Sequence, residues 1–232
     1  MMAKTDLSRP ELWPGGQCHL HLRDDTEIWL ATDWAAHDPA IDLSDHETSR
    51  INRLKAPQAA ARFERSRRFI RAWLAHALNC PAHEVRIELS DLGAPLPFAG
   101  TDKPNPSWSR SEGWTGLGLS RHPAFGLDIE RPRPLDHRAM LETICGEGEL
   151  AVLSTLPETE IADLFWRIWT AKEAILKALG TGFQTPADQL ELPIGQLTKA
   201  DQPLHFDTLF GATELHLKRF GPLYLAGAWI NR

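Results

Sequence analysis

The chain has 232 residues, 42% hydrophobic and 24% charged, a balance that fits a globular protein with its own core, as one large domain or two small ones. A net charge of −6 argues against general nucleic-acid binding, and three scattered cysteines (Cys18, Cys80, Cys145) make neither a disulfide framework nor a zinc motif. No uncharged apolar run approaches the ~20 residues of a membrane span, and Lys4, Asp6, Arg9 and Glu11 interrupt any secretory leader, so a cytoplasmic protein is expected.

Residues 18–22 (Cys-His-Leu-His-Leu) alternate as a strand, and Glu27–Ala31 reads as its neighbour. His19 and His21 share one strand face, and two histidines alone are read as structural. Residues 43–54 form a short helix after Ser44. Residues 57–79 form a longer one, opened by Pro57, closed by Asn79-Cys80-Pro81 and striped with Phe63, Ile70, Leu74 and Ala77. Between Arg50 and Arg71 the basic residues are Arg50, Arg53, Lys55, Arg62, Arg65, Arg67, Arg68 and Arg71, opposed only by Glu64. A basic patch on an acidic protein points to a small polyanion or an acidic partner.

Val85–Leu89 reads as a strand, and the proline- and glycine-rich stretch 93–106 as the boundary between two halves, 1–106 and 107–232. Trp114–Ser120 and Phe125–Glu130 follow as an antiparallel pair of strands. Residues 135–153 are helical with an interruption near Gly146 and Gly148. A further helix runs from Pro157 to Leu179 and stops at Gly180. Strands at 204–206, 214–220 and 224–230 complete the chain.

Two segments carry chemistry. In Gly126-Leu127-Asp128-Ile129-Glu130 the two-residue period of a strand puts Asp128 and Glu130 on one face and Leu127 and Ile129 on the other. Adjacent like charges favour a neutralising cation, and magnesium takes hard oxygen ligands and shares its shell with phosphates. On the helix, Trp169, Glu173 and Lys177 are spaced i, i+4, i+8, with Lys172 beside them. The stripe also fits a surface Glu–Lys pair, but its tryptophan argues for a partly buried face. Gly116 and Gly118 alternate with leucine as a strand, and neither a P-loop, an HExxH helix nor a Ser/His/Asp triad is present.

Taken together, these two segments resemble the G-[IVL]-D-[IVL]-E strand and W-[STC]-x-K-E-[AS]-x-x-K helix of the 4′-phosphopantetheinyl transferases of the surfactin-synthetase-activating type. The likeness extends to Arg62–Arg71, similar to that family's R-x-x-x-[SG]-R-x-x-x-R helix, to Asn105-Pro106-Ser107-Trp108-Ser109, similar to N-[LVI]-S-H-S, to Gly180-Thr181-Gly182-Phe183 and to the closing strand. The resemblance implies an α+β fold of two similar subdomains related by a pseudo-twofold axis, each a small antiparallel sheet packed on a long helix, with coenzyme A in the cleft between them. It implies transfer of 4′-phosphopantetheine from coenzyme A to a serine of an apo acyl or peptidyl carrier protein, with release of 3′,5′-ADP.

By motif position, Asp128, Glu130 and Glu173 would hold Mg2+ or Mn2+, Glu173 would take the serine proton, and Lys177 with Lys172 would stabilise phosphate charge. Arg50 and Arg62 would grip the 3′-phosphate, and Gly93, Ala94, Ser107, Trp108 and Lys177 would line the coenzyme A site. Two departures stand out. Trp108 occupies a position that is usually histidine, and Ala94 one that is usually lysine in G-K-P; each lost charge-assisted hydrogen bond could cost about 1.5–3 kcal/mol of binding. The acids are intact, so a monomeric, active enzyme is expected. The alternatives are a non-catalytic relative that binds carrier protein or coenzyme A, and an unrelated magnesium phosphohydrolase.

Overall fold

The computed structural model describes residues 14–32, 34–91, 93, 95–96, 104–181, 184–198 and 202–231. Ala94, Gly182 and Phe183 lie outside the described residues. Strands β1 (Gln17–Arg23) and β2 (Thr26–Ala31) form an antiparallel hairpin. Helix α1 (Asp45–Arg53) starts at a reciprocal capping box: Ser44 Oγ accepts from Glu47 N, and Ser44 N donates to Glu47 Oε2 at 2.9 Å. Helix α2 (Pro57–Leu78) begins at a proline that gives up no helical bond and ends where Asn79 turns left-handed.

Strands β3 (Asn105–Ser111) and β4 (Trp114–Ser120) are joined by Glu112 and Gly113, both at positive φ (47° and 89°), the backbone of a tight two-residue hairpin. Strand β5 (Phe125–Glu130) follows, then α3 (His137–Ile144), α4 (Glu147–Leu153), α5 (Glu158–Leu179), the short α6 (Ile194–Leu197), and strands β6 (Leu204–Thr208), β7 (Gly211–Phe220) and β8 (Leu223–Asn231). The strands form two four-stranded antiparallel sheets, in the orders β1-β2-β4-β3 and β5-β8-β7-β6.

This mixed α+β architecture agrees with the fold class expected, but three details of the sequence reading change. First, Val85–Leu89 is no strand; it contributes only an isolated bridge from Leu89 to Pro95. Second, β4 and β5 do not pair, since β5 pairs with β8 in the other sheet. The link between them is held by Asn105 Nδ2 donating to His122 O, by His122 N donating to Ser120 Oγ and by Arg121 N donating to Asp25 O, contacts that carry the chain across instead of folding it back. Third, the boundary expected at residue 106 falls inside β3, and β3 and β4 belong to the same sheet as β1 and β2.

Three apolar clusters fix this arrangement. Phe69, Ile70, Trp73 and Leu74 of α2 pack on Trp29, Leu117 and Leu119 of the first sheet. Ile161, Leu164, Ile168, Ile175 and Leu179 of α5 pack on Leu215, Ala226 and Ala228 of the second, joined by Leu141 and Leu153. Between the sheets, Ile28, Leu30 and Trp114 meet Leu127, Ile129, Leu225 and Trp229. Each fully buried side chain of this size contributes roughly 1.5–3 kcal/mol.

Strand β5 therefore sits at the centre, with Leu127 and Ile129 (both 0% exposed) turned into the inter-sheet core. Its other face lies directly against α5. A Cβ at Gly126 would stand 2.0 Å from Ala174 O and 2.5 Å from Ala178 N, so only glycine lets helix and strand come this close.

Candidate active site

The close approach of β5 and α5 brings the two chemistry-bearing segments face to face. Asp128, 2% exposed, accepts from Lys177 Nζ at 2.6 Å through Oδ1. Glu130 accepts from Trp169 Nε1 at 2.9 Å through Oε1. The i and i+8 members of the helical stripe thus each hold one strand acid, and the i+4 member, Glu173, lies between them.

A second set of contacts comes from β3. Ser109 Oγ donates to Asp128 Oδ1 at 2.7 Å, and Ser111 Oγ donates to Glu130 Oε2 at 2.5 Å. Leu127 N donates to Ser107 Oγ at 2.9 Å and Arg131 N to Ser111 Oγ at 3.0 Å. The facing edges of the two sheets are joined here through serine hydroxyls.

The acids are electrostatically frustrated. Burial pushes the Asp128 carboxyl up to about 6; Lys177 opposes the shift and Glu130 adds to it. Burial raises Glu173 to about 7, with Asp128 and Glu130 also raising it and Lys177 lowering it. Asp128 Oδ2 is buried without a hydrogen-bond partner, and among the described residues no hydrogen bond to the Glu173 carboxylate is found. As the side chains stand, no group of three His, Cys, Asp or Glu residues among those described forms a closed metal-binding set. The chemistry of the donors nevertheless fits a hard divalent cation: Glu130 raises the proton affinity of both Asp128 and Glu173, and one Asp128 oxygen is orphaned.

Beside the acids lies a cleft of about 1010 Å³. Gly93, Ser107, Trp108, Glu173 and Lys177 all line it, so these expected residues are brought together. Arg50 and Arg62 are exposed and are not among the lining residues. Of the helix's arginines, Arg67 and Arg71 turn inward; Arg71 bonds Glu47 and Val85 O, while the Arg67 guanidinium lies 4.8 Å from the Trp108 ring and 5.1 Å from Phe63. Arg110 stacks on Phe63 at 4.9 Å, and two buried donors of Arg67, Nε and Nη1, have no hydrogen-bond partner. Arg67 lies five positions beyond Arg62, on the face marked by Phe63 (i, i+4), which the apolar stripe could have indicated.

Lys172 is corrected. It is 1% exposed, and its ammonium donates to Glu149 Oε2 (2.6 Å), Ile144 O (2.8 Å) and Ala187 O (2.9 Å). One residue before Glu173 on a helix is about 100° around the axis, so Lys172 points into the α3–α4 layer, away from the acids. All three of its donors are used there, and it serves the fold. Sequence reasoning also missed Ser109 and Ser111, whose alternation on one strand face was the available signal.

Residues 124–222 match the family model described as the 4′-phosphopantetheinyl transferase superfamily, a segment that contains Asp128, Glu130, Glu173 and Lys177. Over 170 residues, 69% of this chain and 71% of the relative, the sequence is 29% identical to the 4′-phosphopantetheinyl transferase HetI of Nostoc sp.. It is 29% identical over 160 residues to the Synechocystis sp. protein slr0495, covering 68% of this chain and 64% of that one. Against the 4′-phosphopantetheinyl transferase AcpT of Salmonella typhi it is 40% identical over 95 residues, covering 39% of this chain and 47% of the relative. The chain thus spans from about half to somewhat over two thirds of the length of these relatives.

Proposed function

We propose that this chain is a 4′-phosphopantetheinyl transferase of the surfactin-synthetase-activating type, which uses coenzyme A and a divalent cation to modify a serine of an apo acyl or peptidyl carrier protein. The observation that carries this reading is the set of Asp128, Glu130 and Glu173, with Lys177, beside a cleft that Glu173 and Lys177 line and that is large enough for an extended ligand. In the reaction, the serine Oγ bonds to the phosphorus bearing the pantetheine arm. That phosphorus loses its bond to the bridging pyrophosphate oxygen, 3′,5′-ADP leaves, and the serine proton passes to a base. Such transfers depend on alignment and charge neutralisation more than on covalent help.

Asp128, through its free Oδ2, would hold Mg2+ or Mn2+ together with Glu130 and Glu173. The bound ion supplies positive charge to the pyrophosphate oxygens. Glu173, held at about 7, is suited to take the serine proton directly or through water. Lys177 faces the cleft and can share its charge between Asp128 and a phosphate. Trp108 offers a face for the adenine, backed by Arg67, while Gly93 and Ser107 form the wall near it. Arg67 and Arg110, beside Trp108 and Phe63, join Arg50 and Arg62 as the cations offered to the 3′-phosphate. Two sheets, each carrying a 22-residue helix, are compatible with a pseudo-twofold plan and a working monomer.

The test is to incubate the purified chain with magnesium, coenzyme A and several apo carrier proteins, and to weigh the carriers by mass spectrometry. One added phosphopantetheine on a carrier serine is expected. Carriers left unmodified at millimolar coenzyme A would refute transfer. Calorimetric binding of carrier without turnover would instead favour the non-catalytic relative, for which the substitution at Trp108 speaks.

A further inference from the structure

Strand β3 presents serine at three alternate positions, 107, 109 and 111, all at most 8% exposed. Serine is a poor choice for a buried strand face, where valine or isoleucine would pack better. A buried hydroxyl is also costly unless it is hydrogen-bonded. All three are bonded, and all to β5. Two of the three reach carboxylates rather than backbone.

Ser111 shows the device most clearly. Its oxygen accepts the Arg131 amide, which leaves its single proton for Glu130 Oε2. Trp169 takes Oε1 from the helix side, so the Glu130 carboxylate is gripped at both oxygens. At Asp128, Ser109 and Lys177 both bond Oδ1, which leaves Oδ2 as the oxygen without a partner. Each strand acid is held by one serine of β3 and one side chain of α5, and Glu130 Oε2 also lies 3.4 Å from Arg133 Nη1.

We propose that Ser109 and Ser111 are positioning residues that orient Asp128 and Glu130 toward the divalent cation, an inference that rests on the metal reading above. Hydrogen-bonded partners of metal-ligating carboxylates typically set affinity by about ten- to a hundredfold. Ser107 serves as the internal control, because its bond goes to the Leu127 backbone and to no carboxylate.

The experiment titrates the purified full chain with Mn2+ alone and follows the free-ion signal by electron paramagnetic resonance. Metal-free thermal unfolding is recorded for each variant to confirm folding. Ser109→Ala and Ser111→Ala should each weaken Mn2+ binding roughly tenfold or more. Ser109→Thr, which keeps the hydroxyl, should recover much of the loss, and Ser107→Ala should lower Tm without that loss of affinity. If the unaltered chain takes up no Mn2+, the metal reading falls and this inference with it. If the unaltered chain binds and both alanine variants bind equally well, or if Ser107→Ala loses as much, the metal reading survives and the positioning role is refuted.

Discussion

At the scale of single residues, Glu173 carries the strongest demand. A carboxyl held at about 7 when folded and near its ordinary 4.5 when unfolded binds its proton more tightly in the fold. Its contribution therefore favours folding below pH 4.5 and is lost as the pH rises through 7. Metal-free protein should lose stability across that window, and Glu173→Gln should flatten the loss while abolishing transfer. Thermal melts in chelator from pH 4.5 to 8 check this; parallel curves for the two proteins would contradict it. Lys172 is the opposite case. Lys172→Met leaves Glu149, 2% exposed, as an uncompensated buried charge, so about 3–5 kcal/mol of stability should be lost in urea titrations. Folded protein recovered at low temperature should retain turnover, and a selective loss of turnover would restore Lys172 to the site.

At the scale of elements, the site depends on the distance between β5 and α5. Gly126→Ala places a methyl group 2.0 Å from Ala174 O, a contact that only movement of the helix can relieve. Overpacking of this kind costs about 1–3 kcal/mol. Here it should also move Trp169 and Lys177 away from Glu130 and Asp128, so Mn2+ affinity should fall along with Tm. A variant with lowered Tm but unchanged Mn2+ affinity would show that the helix position does not govern the site. The helices were legible in the sequence because their signals are local: Ser44 and Glu47 make a capping box, Pro57 and Pro157 open helices, and Asn79 and Gly180 close them. Strand β3 was not legible as a strand. One face carries serines, because it meets β5 and its pair of carboxylates and not a core, and the other begins with Pro106, which reads as a strand breaker. The identity of partners was equally hidden: nothing local distinguishes a β4–β5 hairpin from a crossing held by Asn105, His122 and Asp25.

At the scale of the molecule, two sheets meet edge to edge at β3 and β5, and the acids lie at that seam beside the cleft. Of this site, the strand and helix acids were readable from period two and period 3.6. The alternating serines and the Phe63–Arg67 spacing were visible as patterns, but what they face, like the inward turn of Lys172, depends on how elements pack and could not be read from spacing alone. A buried cluster of acids should make the fold respond to cations. Magnesium at about a hundred times its Kd should stabilise the chain by about 2.7 kcal/mol. The gain should disappear in Asp128→Asn, and an equal rise in Tm in that variant would place binding elsewhere.

The most direct measurement is a crystal soaked with Mn2+ and coenzyme A, with the ion located by its anomalous scattering. One peak bonded to Asp128 Oδ2 and Glu173, with Glu130 alongside and the pyrophosphate completing the shell, is the predicted result. A peak distant from these residues, or coenzyme A bound with its pyrophosphate outside their reach, would contradict the account.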